Sequence, residues 1–291
     1  MQTANCNQKG KTGCMAERTE SQMVGTPTGF TEVDKLLRGL RGGDLIILAA
    51  RPGAGKTTFA LNVATNAAKS GTTVLFFSLE MGGNDITQRI LCSEARVSLH
   101  QFRQGSLQEG DQDAIMNAAD ALSGLELYID DTPALSVPEM RAEARHLLRD
   151  KKKGLIIVDY LQIIPPLSNC RDVSRVAELA QISCGLKVLA KEMGIPVLAL
   201  SNLRSPRGER RVERPTLSDL RNWVPVEQDA DIIMFIDRSE NEVEDEINGN
   251  GKPGTAELIV AKHRNGPIRD ITLGFNPEFA RFDNHTDAFR M

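Results

Sequence analysis

The nine residues "ARPGAGKTT", Ala50 to Thr58, constrain this chain more than any other stretch. They lie between a run that reads as a strand, "GDLIILAA", and one that reads as a helix, "GKTTFALNVATNAAKS". A Gly-rich loop at such a junction is a phosphate-binding loop. Its small residues let the backbone N–H groups of Gly53, Ala54, Gly55 and Lys56 wrap a polyphosphate, and the helix that follows offers its positive end. Ala50, Arg51, Pro52, Gly53, Ala54, Gly55, Lys56, Thr57 and Thr58 are therefore the candidate nucleotide cradle. Lys56 is expected to reach the β- and γ-phosphates and Thr57 to hold Mg²⁺. The strict pattern opens with Gly; Ala50 stands there instead and keeps the small size the position needs.

Two carboxylates belong with this loop. The apolar run "GLIIVDYLQ" ends in Asp159, the pattern of an acid that binds Mg²⁺ through water. Hydrolysis also needs a group that orients the attacking water. Tyr160 occupies the position where many phosphate-loop enzymes carry that Glu, so the candidate is Glu80, which ends the strand in "VLFFSLEM". It would sit beside the phosphate loop if the two strands neighbour each other, since ligands bind at the carboxyl edge of open sheets.

Strand-like and helix-like segments alternate through the rest of the chain. Helical spacing recurs at Gly83 to Arg96, Glu109 to Leu122, Val137 to Asp150 and Asp172 to Met193. Between and after these lie the apolar strands "LELYID", "KGLIIVDYL", "IPVLALSN", "ADIIMFIDR", "GTAELIVAKH" and "DITLGF". Strand, helix and strand in that order require crossovers, and so a mostly parallel central sheet with helices on both faces: an α/β fold. The closely spaced final strands are open to antiparallel pairing. The expected division is a polar tail over 1–25, one domain over 26–285 and a short tail over 286–291.

Composition excludes several classes. No apolar run approaches the roughly 18 residues needed to cross a bilayer, and the first 25 residues lack the apolar core of a signal peptide, so the chain is expected to be cytoplasmic with no membrane partner. Five unclustered cysteines without metal-ligand spacing read as reduced thiols. A net charge of −4 argues against a surface that coats nucleic acid, although "RSPRGERRVERP" gathers five arginines (Arg204, Arg207, Arg210, Arg211, Arg214) against Glu209 and Glu213. Late in the chain, "IVAKHRNGPIRD" alternates so that Lys262 and Arg264 would leave a strand on the same face. Such a cation pair fits a concentrated negative charge, and a nucleotide triphosphate supplies one.

The ordered set "GTPTGFTEVDKLLRGLRGGDLIILAARPGAGKTTFALNVA", "FFSLEM", "SEARV", "IIVDYLQ", "EQDADIIMFIDR" and "KHRNGP" resembles the motor domain of DnaB-type replicative DNA helicases over nearly all of the chain after Gly25. The resemblance implies a RecA-like phosphate-loop NTPase fold, a hexameric ring, ATP with Mg²⁺ held between neighbouring subunits, and single-stranded DNA threaded through the centre in the five-prime to three-prime direction. By position it makes Lys56 and Thr57 ligands of ATP and Mg²⁺, Glu80 the catalytic base, Asp159 the second metal residue, and Lys262 with Arg264 the basic pair that crosses to the neighbour's γ-phosphate. Arg264 is then the arginine finger, and a lone subunit should hydrolyse slowly.

Three departures accompany the resemblance. Where the family has a γ-phosphate-sensing Gln, this chain has Asn202, an amide with one methylene less reach. The family's DNA loop reads "SDLRESG", whereas "SDLRNWVP" here keeps Arg221 as a phosphate contact and introduces Asn222, Trp223, Val224 and Pro225. Arg221, Asn222 and Trp223 are the DNA-binding candidates, Trp223 by stacking on a base. Relatives also carry a helical N-terminal domain and linker helix that support assembly and the docking of primase or a helicase loader, where this sequence has 25 polar residues. A compact phage or mobile-element version and a fragment are both open on this basis. The rival functions are a RecA-family ATPase of the RadA or KaiC type and a shortened, non-motor paralogue that binds a helicase ring.

Overall fold

A computed structural model describes residues 23–149, 151, 153–166, 174–203, 214–221, 226–238, 243 and 254–285. The expectations for the N-terminal tail up to residue 22, for the arginines of 204–211, for Asn222, Trp223, Val224 and Pro225, and for the tail after 285 lie outside these residues.

The strand ahead of the Gly-rich loop, β1 (Leu45–Ala50), is buried at all six positions. Ile46, Leu48 and Ala50 belong to one apolar cluster with Phe59, Val63 and Ala67 of α2 (Lys56–Lys69). Leu45, Ile47 and Ala49 belong to a second, with Met140 of α6 (Val137–Leu148) and Ile182 and Leu186 of α7 (Arg175–Met193). A strand covered on both faces must be apolar throughout, which is why this run does not alternate.

The remaining strands are β2 (Thr73–Ser78), β3 (Leu127–Asp130), β4 (Gly154–Asp159), β5 (Val197–Asn202), β6 (Ile232–Asp237), β7 (Gly254–His263), β8 (Arg269–Asn276) and β9 (Arg281–Asn284). They form one sheet in the order β3-β2-β4-β5-β1-β6-β7-β8-β9. The pairings from β3 to β6 are parallel and those from β6 to β9 antiparallel. The mostly parallel sheet expected from the alternation is thus present, and the close-set last strands are indeed antiparallel.

Local sequence explains the long helices. α6 opens with a capping box between Ser136 and Glu139 and carries Pro138 in its first turn. α7 is capped by Ser174, whose hydroxyl accepts from Ala177 N–H, and ends at Gly194 with φ 65°, a conformation glycine adopts without cost. α3 (Gly83–Ala95) and α5 (Asp111–Ser123) fall within two residues of their expected limits. The short helices α1 (Thr31–Leu37), α4 (Leu99–Gln104) and α8 (Leu217–Arg221) are too brief to stand alone. Val33 and Leu37 anchor α1 in the core, and its first turn is fixed locally: the buried Asp34 carboxylate accepts from Thr28 N–H at 2.8 Å and Gly29 N–H at 3.0 Å. Burial pushes the Asp34 carboxyl above its ordinary value, against the pull of these hydrogen bonds.

Among the described residues no helix is long and apolar enough to cross a membrane. Cys92 and Cys184 are free thiols, and burial pushes the Cys92 thiol up to about 11, which keeps it protonated and unreactive at neutral pH.

Candidate nucleotide site

β1 delivers Ala50 to the carboxyl edge of the sheet, between Asn202 of β5 and Ile236 of β6. The chain turns there, with Ala54 N–H bonded to Arg51 O at 3.2 Å, and enters α2 at Lys56. Gly55, the N-cap, has φ 94°, and a Cβ on it would lie 3.0 Å from the Phe282 ring. Glycine is therefore required twice over, by backbone conformation and by space. No side chain caps α2 and no acid sits in its first turn, so the helix presents unpaired N–H groups and its positive end to the loop.

The two side chains that leave the first turn are already engaged. Lys56, buried at 9% exposure, donates to Asn202 Oδ1 at 2.8 Å and lies 5.2 Å from the centre of the Tyr160 ring. Burial depresses the Lys56 ammonium from its usual value, and the charges of Asp159 and Glu80 oppose this. Thr57 Oγ1 donates to Asp159 Oδ2 at 2.7 Å. Asp159 is 1% exposed; burial raises its carboxyl, while Lys56, the Thr57 hydroxyl and Arg89 favour its charged form. Its other oxygen, Oδ1, is buried without a hydrogen-bond partner. A hydroxyl, a carboxylate and an unused carboxylate oxygen beside a polyphosphate cradle fit a hard divalent cation that keeps its own water ligands.

Asn202 is itself clamped. Its N–H donates to Gln162 Oε1 at 3.2 Å, and Gln162 Nε2 donates to Asn202 O at 3.0 Å and to Ser201 Oγ at 2.9 Å. The single 3-10 turn Leu161–Ile163 that carries Gln162 follows β4 directly, so the amide pair fastens the ends of β4 and β5 together.

The strand adjacency on which the placing of Glu80 depended requires a correction. β2 and β1 are not neighbours, because β4 and β5 stand between them. The adjacency that holds is β2 with β4: Ser78 pairs with Asp159, and Leu79 N–H donates to Asp159 O at 2.9 Å. The exposed Glu80 reaches the site electrostatically all the same, since its charge acts on Lys56, Asp159 and Tyr160. Its turn is fixed by Ser78 Oγ donating to Met81 O at 2.6 Å and by Asp131 accepting Gly83 N–H at 2.7 Å.

Lys262 and Arg264 lie at the opposite edge. β7 runs antiparallel to β6, with His263 opposite Ile232, and Ile232 in turn pairs with Ile46 near the start of β1. From there to Ala50 the strand covers about 13 Å at roughly 3.3 Å per residue, farther than an arginine side chain extends. Neither cation can serve the phosphate loop of its own chain. Arg264 falls one residue beyond β7, and the register shift between β6 and β7 lies ahead of both cations, at Ala261. What unites them is the turn 226–231. Lys262 Nζ donates to Glu227 O at 2.5 Å and Ala230 O at 2.6 Å, and Arg264 binds Asp231 through its N–H and its guanidinium.

Residues 25–284 match the family model described as DnaB-like helicase C terminal domain. The chain belongs to this family. It is 41% identical over 266 residues to the replicative DNA helicase DnaC of Bacillus subtilis (strain 168), covering 91% of this chain and 58% of that protein. It is 45% identical over 268 residues to the replicative DNA helicase DnaB of Buchnera aphidicola subsp. Schizaphis graminum, covering 90% and 56%. The chain thus spans less than three fifths of the length of these relatives. Among solved structures, one described as an ATPase domain superposes with a TM-score of 0.83 at 32% identity, over 92% of this chain and 94% of that one. A DnaB-like replicative helicase, described with its interactions with primase, gives 0.82 at 32% identity over 92% and 65%. The RecA-like ATPase fold implied by the sequence motifs is therefore the fold of this DnaB-like domain.

The DnaB-like domain also contains site residues to which the sequence motifs had assigned no role. Tyr160 lies against Lys56, and Arg89 of α3 adds a positive charge near Asp159. Arg238, just past β6, places its guanidinium 3.8 Å from the centre of the Phe275 ring and Nη1 3.4 Å from Gly53 O. The carboxyl-edge rule, applied to every strand, points to Tyr160 and Arg238, whereas Arg89 lies within a helix and carries no such signal. Of the DNA-binding candidates, Arg221 is the last residue of α8, whereas Asn222 and Trp223 fall outside the described residues. Arg214, at the edge of the arginine-rich stretch, is tied to Glu257 and Asp270 at 2.9 and 2.7 Å.

Proposed function

We propose that this chain is the ATP-hydrolysing motor of a DnaB-type replicative DNA helicase, working in the cytoplasm on single-stranded DNA in the five-prime to three-prime direction. Ala50 to Thr58 cradle the triphosphate, with Lys56 on the β- and γ-phosphates and Asn202 sensing the γ-phosphate. Thr57 and Asp159 hold Mg²⁺, which neutralises phosphate charge when bound. Glu80 orients the attacking water and accepts its proton. Arg221, Asn222 and Trp223 face DNA, and 26–285 is the motor unit between two tails.

The observation that carries this reading is the separation of the two halves of the site. The phosphate loop sits at the carboxyl edge of β1, and Lys262 and Arg264 sit at the amino edge. Cations so placed complete a pocket only on another copy of the chain, as a ring arrangement requires. Arg264 then stabilises charge developing on the neighbour's γ-phosphate, and assembly becomes a condition of fast turnover. A primase is a candidate partner, given that a DnaB-like relative was solved for its interactions with one.

The test is a measurement of particle size with and without ATP and a single-stranded oligonucleotide, paired with phosphate release. Assembly together with DNA-stimulated turnover supports the motor. A monomer that binds ATP and ignores DNA would replace it with the RadA- or KaiC-like reading or the non-motor reading.

A further inference from the structure

A buried carboxylate with no part in the nucleotide chemistry sits directly behind Arg264. Asp231, 3% exposed, ends the turn 226–231 and is fixed at every polar atom. Its N–H donates to Leu45 O at 2.9 Å, and its carbonyl accepts Arg264 N–H at 2.8 Å. Its Oδ2 accepts from Leu45 N–H at 2.9 Å and from the Lys187 ammonium, and its Oδ1 accepts from Arg264 Nη1 at 3.2 Å. Lys187 comes from α7, and its Nζ also donates to Gly43 O at 2.7 Å.

The charge arrangement matters as much as the contacts. A carboxylate paired with Arg264 alone would neutralise it and compete with any incoming phosphate. Here Lys187 and Asp231 form a buried pair, with side chains 12% and 4% exposed, while the Arg264 side chain remains 58% exposed. Lys187 and Arg264 share Asp231, while Asp44 and Arg41 bring one further charge of each sign to the same neighbourhood, so the exposed guanidinium keeps a positive charge to offer. An exposed arginine otherwise samples many rotamers, and holding it by one N–H of the fork restricts that freedom before a phosphate arrives. Burial disfavours the charged form of Asp231, yet Lys187, the Leu45 N–H and Arg264 together hold its carboxyl below the ordinary value.

We infer that Asp231, backed by Lys187, is the positioning residue that sets the Arg264 guanidinium for a phosphate bound by a neighbouring copy of the chain. This rests on Arg264 acting across the interface, as proposed above. The competing account is structural: Asp231 also holds Leu45 at the start of β1, so its loss could disturb the chain's own phosphate loop through that strand.

Mixing subunits separates the two. Asp231→Asn keeps size and shape; alone it should lower kcat for ATP about 10-fold or more with KM changed less than about 2-fold, and it should add nothing to Arg264→Ala in the double variant. If Asp231 acts through the finger, Asp231→Asn subunits regain turnover when mixed with Lys56→Ala subunits, which supply intact fingers, and not when mixed with Arg264→Ala subunits. Recovery with Arg264→Ala only would assign Asp231 to its own pocket and overturn the inference, as would no recovery in either verified mixture or full activity of Asp231→Asn alone. Should Asp231→Asn fold poorly, the Lys187→Met/Asp231→Asn pair, which leaves no lone buried charge, is read in the same way. A fully active Arg264→Ala protein would overturn the finger reading itself, and the inference with it. A slow Arg264→Ala beside a fast Asp231→Asn overturns the inference alone.

Discussion

Lys56 Nζ donates to Asn202 Oδ1 across 2.8 Å, joining the first turn of α2 to the end of β5. The sequence resemblance raised the concern that Asn202 is one methylene shorter than the family's usual Gln. The contact forms because Asn202 pairs in register with Ala50, so the amide starts at the root of the phosphate loop. The same lysine lies by Tyr160 and feels Asp159 and Glu80, which makes it the point where β1, β2, β4 and β5 meet.

Lys56→Ala is therefore expected to abolish ATP turnover, by about 100-fold or more, while the protein still folds, because alanine suits a helix start and Asp159, which loses the Lys56 charge, keeps the Thr57 hydroxyl. Phosphate release by the variant, alongside its thermal melt, checks this. Near-normal release would remove Ala50 to Thr58 from the nucleotide site.

Lys56→Ala and Arg264→Ala subunits, each inactive alone, should regain part of the turnover when mixed. One class of interface then has an intact loop from one subunit and an intact finger from the other. The readout is phosphate release against mixing ratio, with mixed assembly verified by mass. A flat response would mean that Arg264 is not donated between copies.

Arg221→Ala should weaken binding to single-stranded DNA about equally for all sequences and reduce the slope of log affinity against log salt by about 0.7, the loss of one phosphate contact. Fluorescence titrations at several salt concentrations measure it. Unaltered affinity would take α8 and the loop after it out of the DNA path.

Gly55→Ala should destabilise the fold by about 1–2 kcal/mol, because a Cβ is unfavourable at positive φ, and the new methyl meets Phe282. Urea unfolding reports the first effect and nucleotide titration the second, since the loop can no longer close on the phosphates. Equal stability and affinity would contradict the loop geometry.

Asp231→Asn should cost about 3 kcal/mol at neutral pH by removing the carboxylate bound to the largely buried Lys187, which keeps Gly43 O and the charge of Asp44. The carboxyl of Asp231 lies below the ordinary 3.8 in the folded chain. A depressed folded value gives stability that is complete above the unfolded value and lost as pH falls through the folded one. The gap between wild type and variant should accordingly be widest at neutral pH and close on acidification below about 3.8, as denaturant unfolding at both pH values would reveal. A gap independent of pH would deny the charge a role.

The loop, its lysine and threonine, the acid at the end of "GLIIVD" and the alternation of strand and helix were all legible in the sequence, because each depends on near neighbours in the chain. Backbone conformation fixes where Gly55 must stand, and burial on both faces makes β1 and β4 unbroken apolar runs. Tertiary structure alone decided which strands adjoin. It set the strand that carries Glu80 beside β4 and Asp159 rather than beside β1, brought Arg238 and Tyr160 to the site, and put Lys262 and Arg264 at the far edge. It also closed Lys187, Asp231 and Arg264 into one cluster from three distant segments. Periodicity along a chain records which face of an element is buried, but strand order follows from how crossovers pack, and no local pattern encodes it.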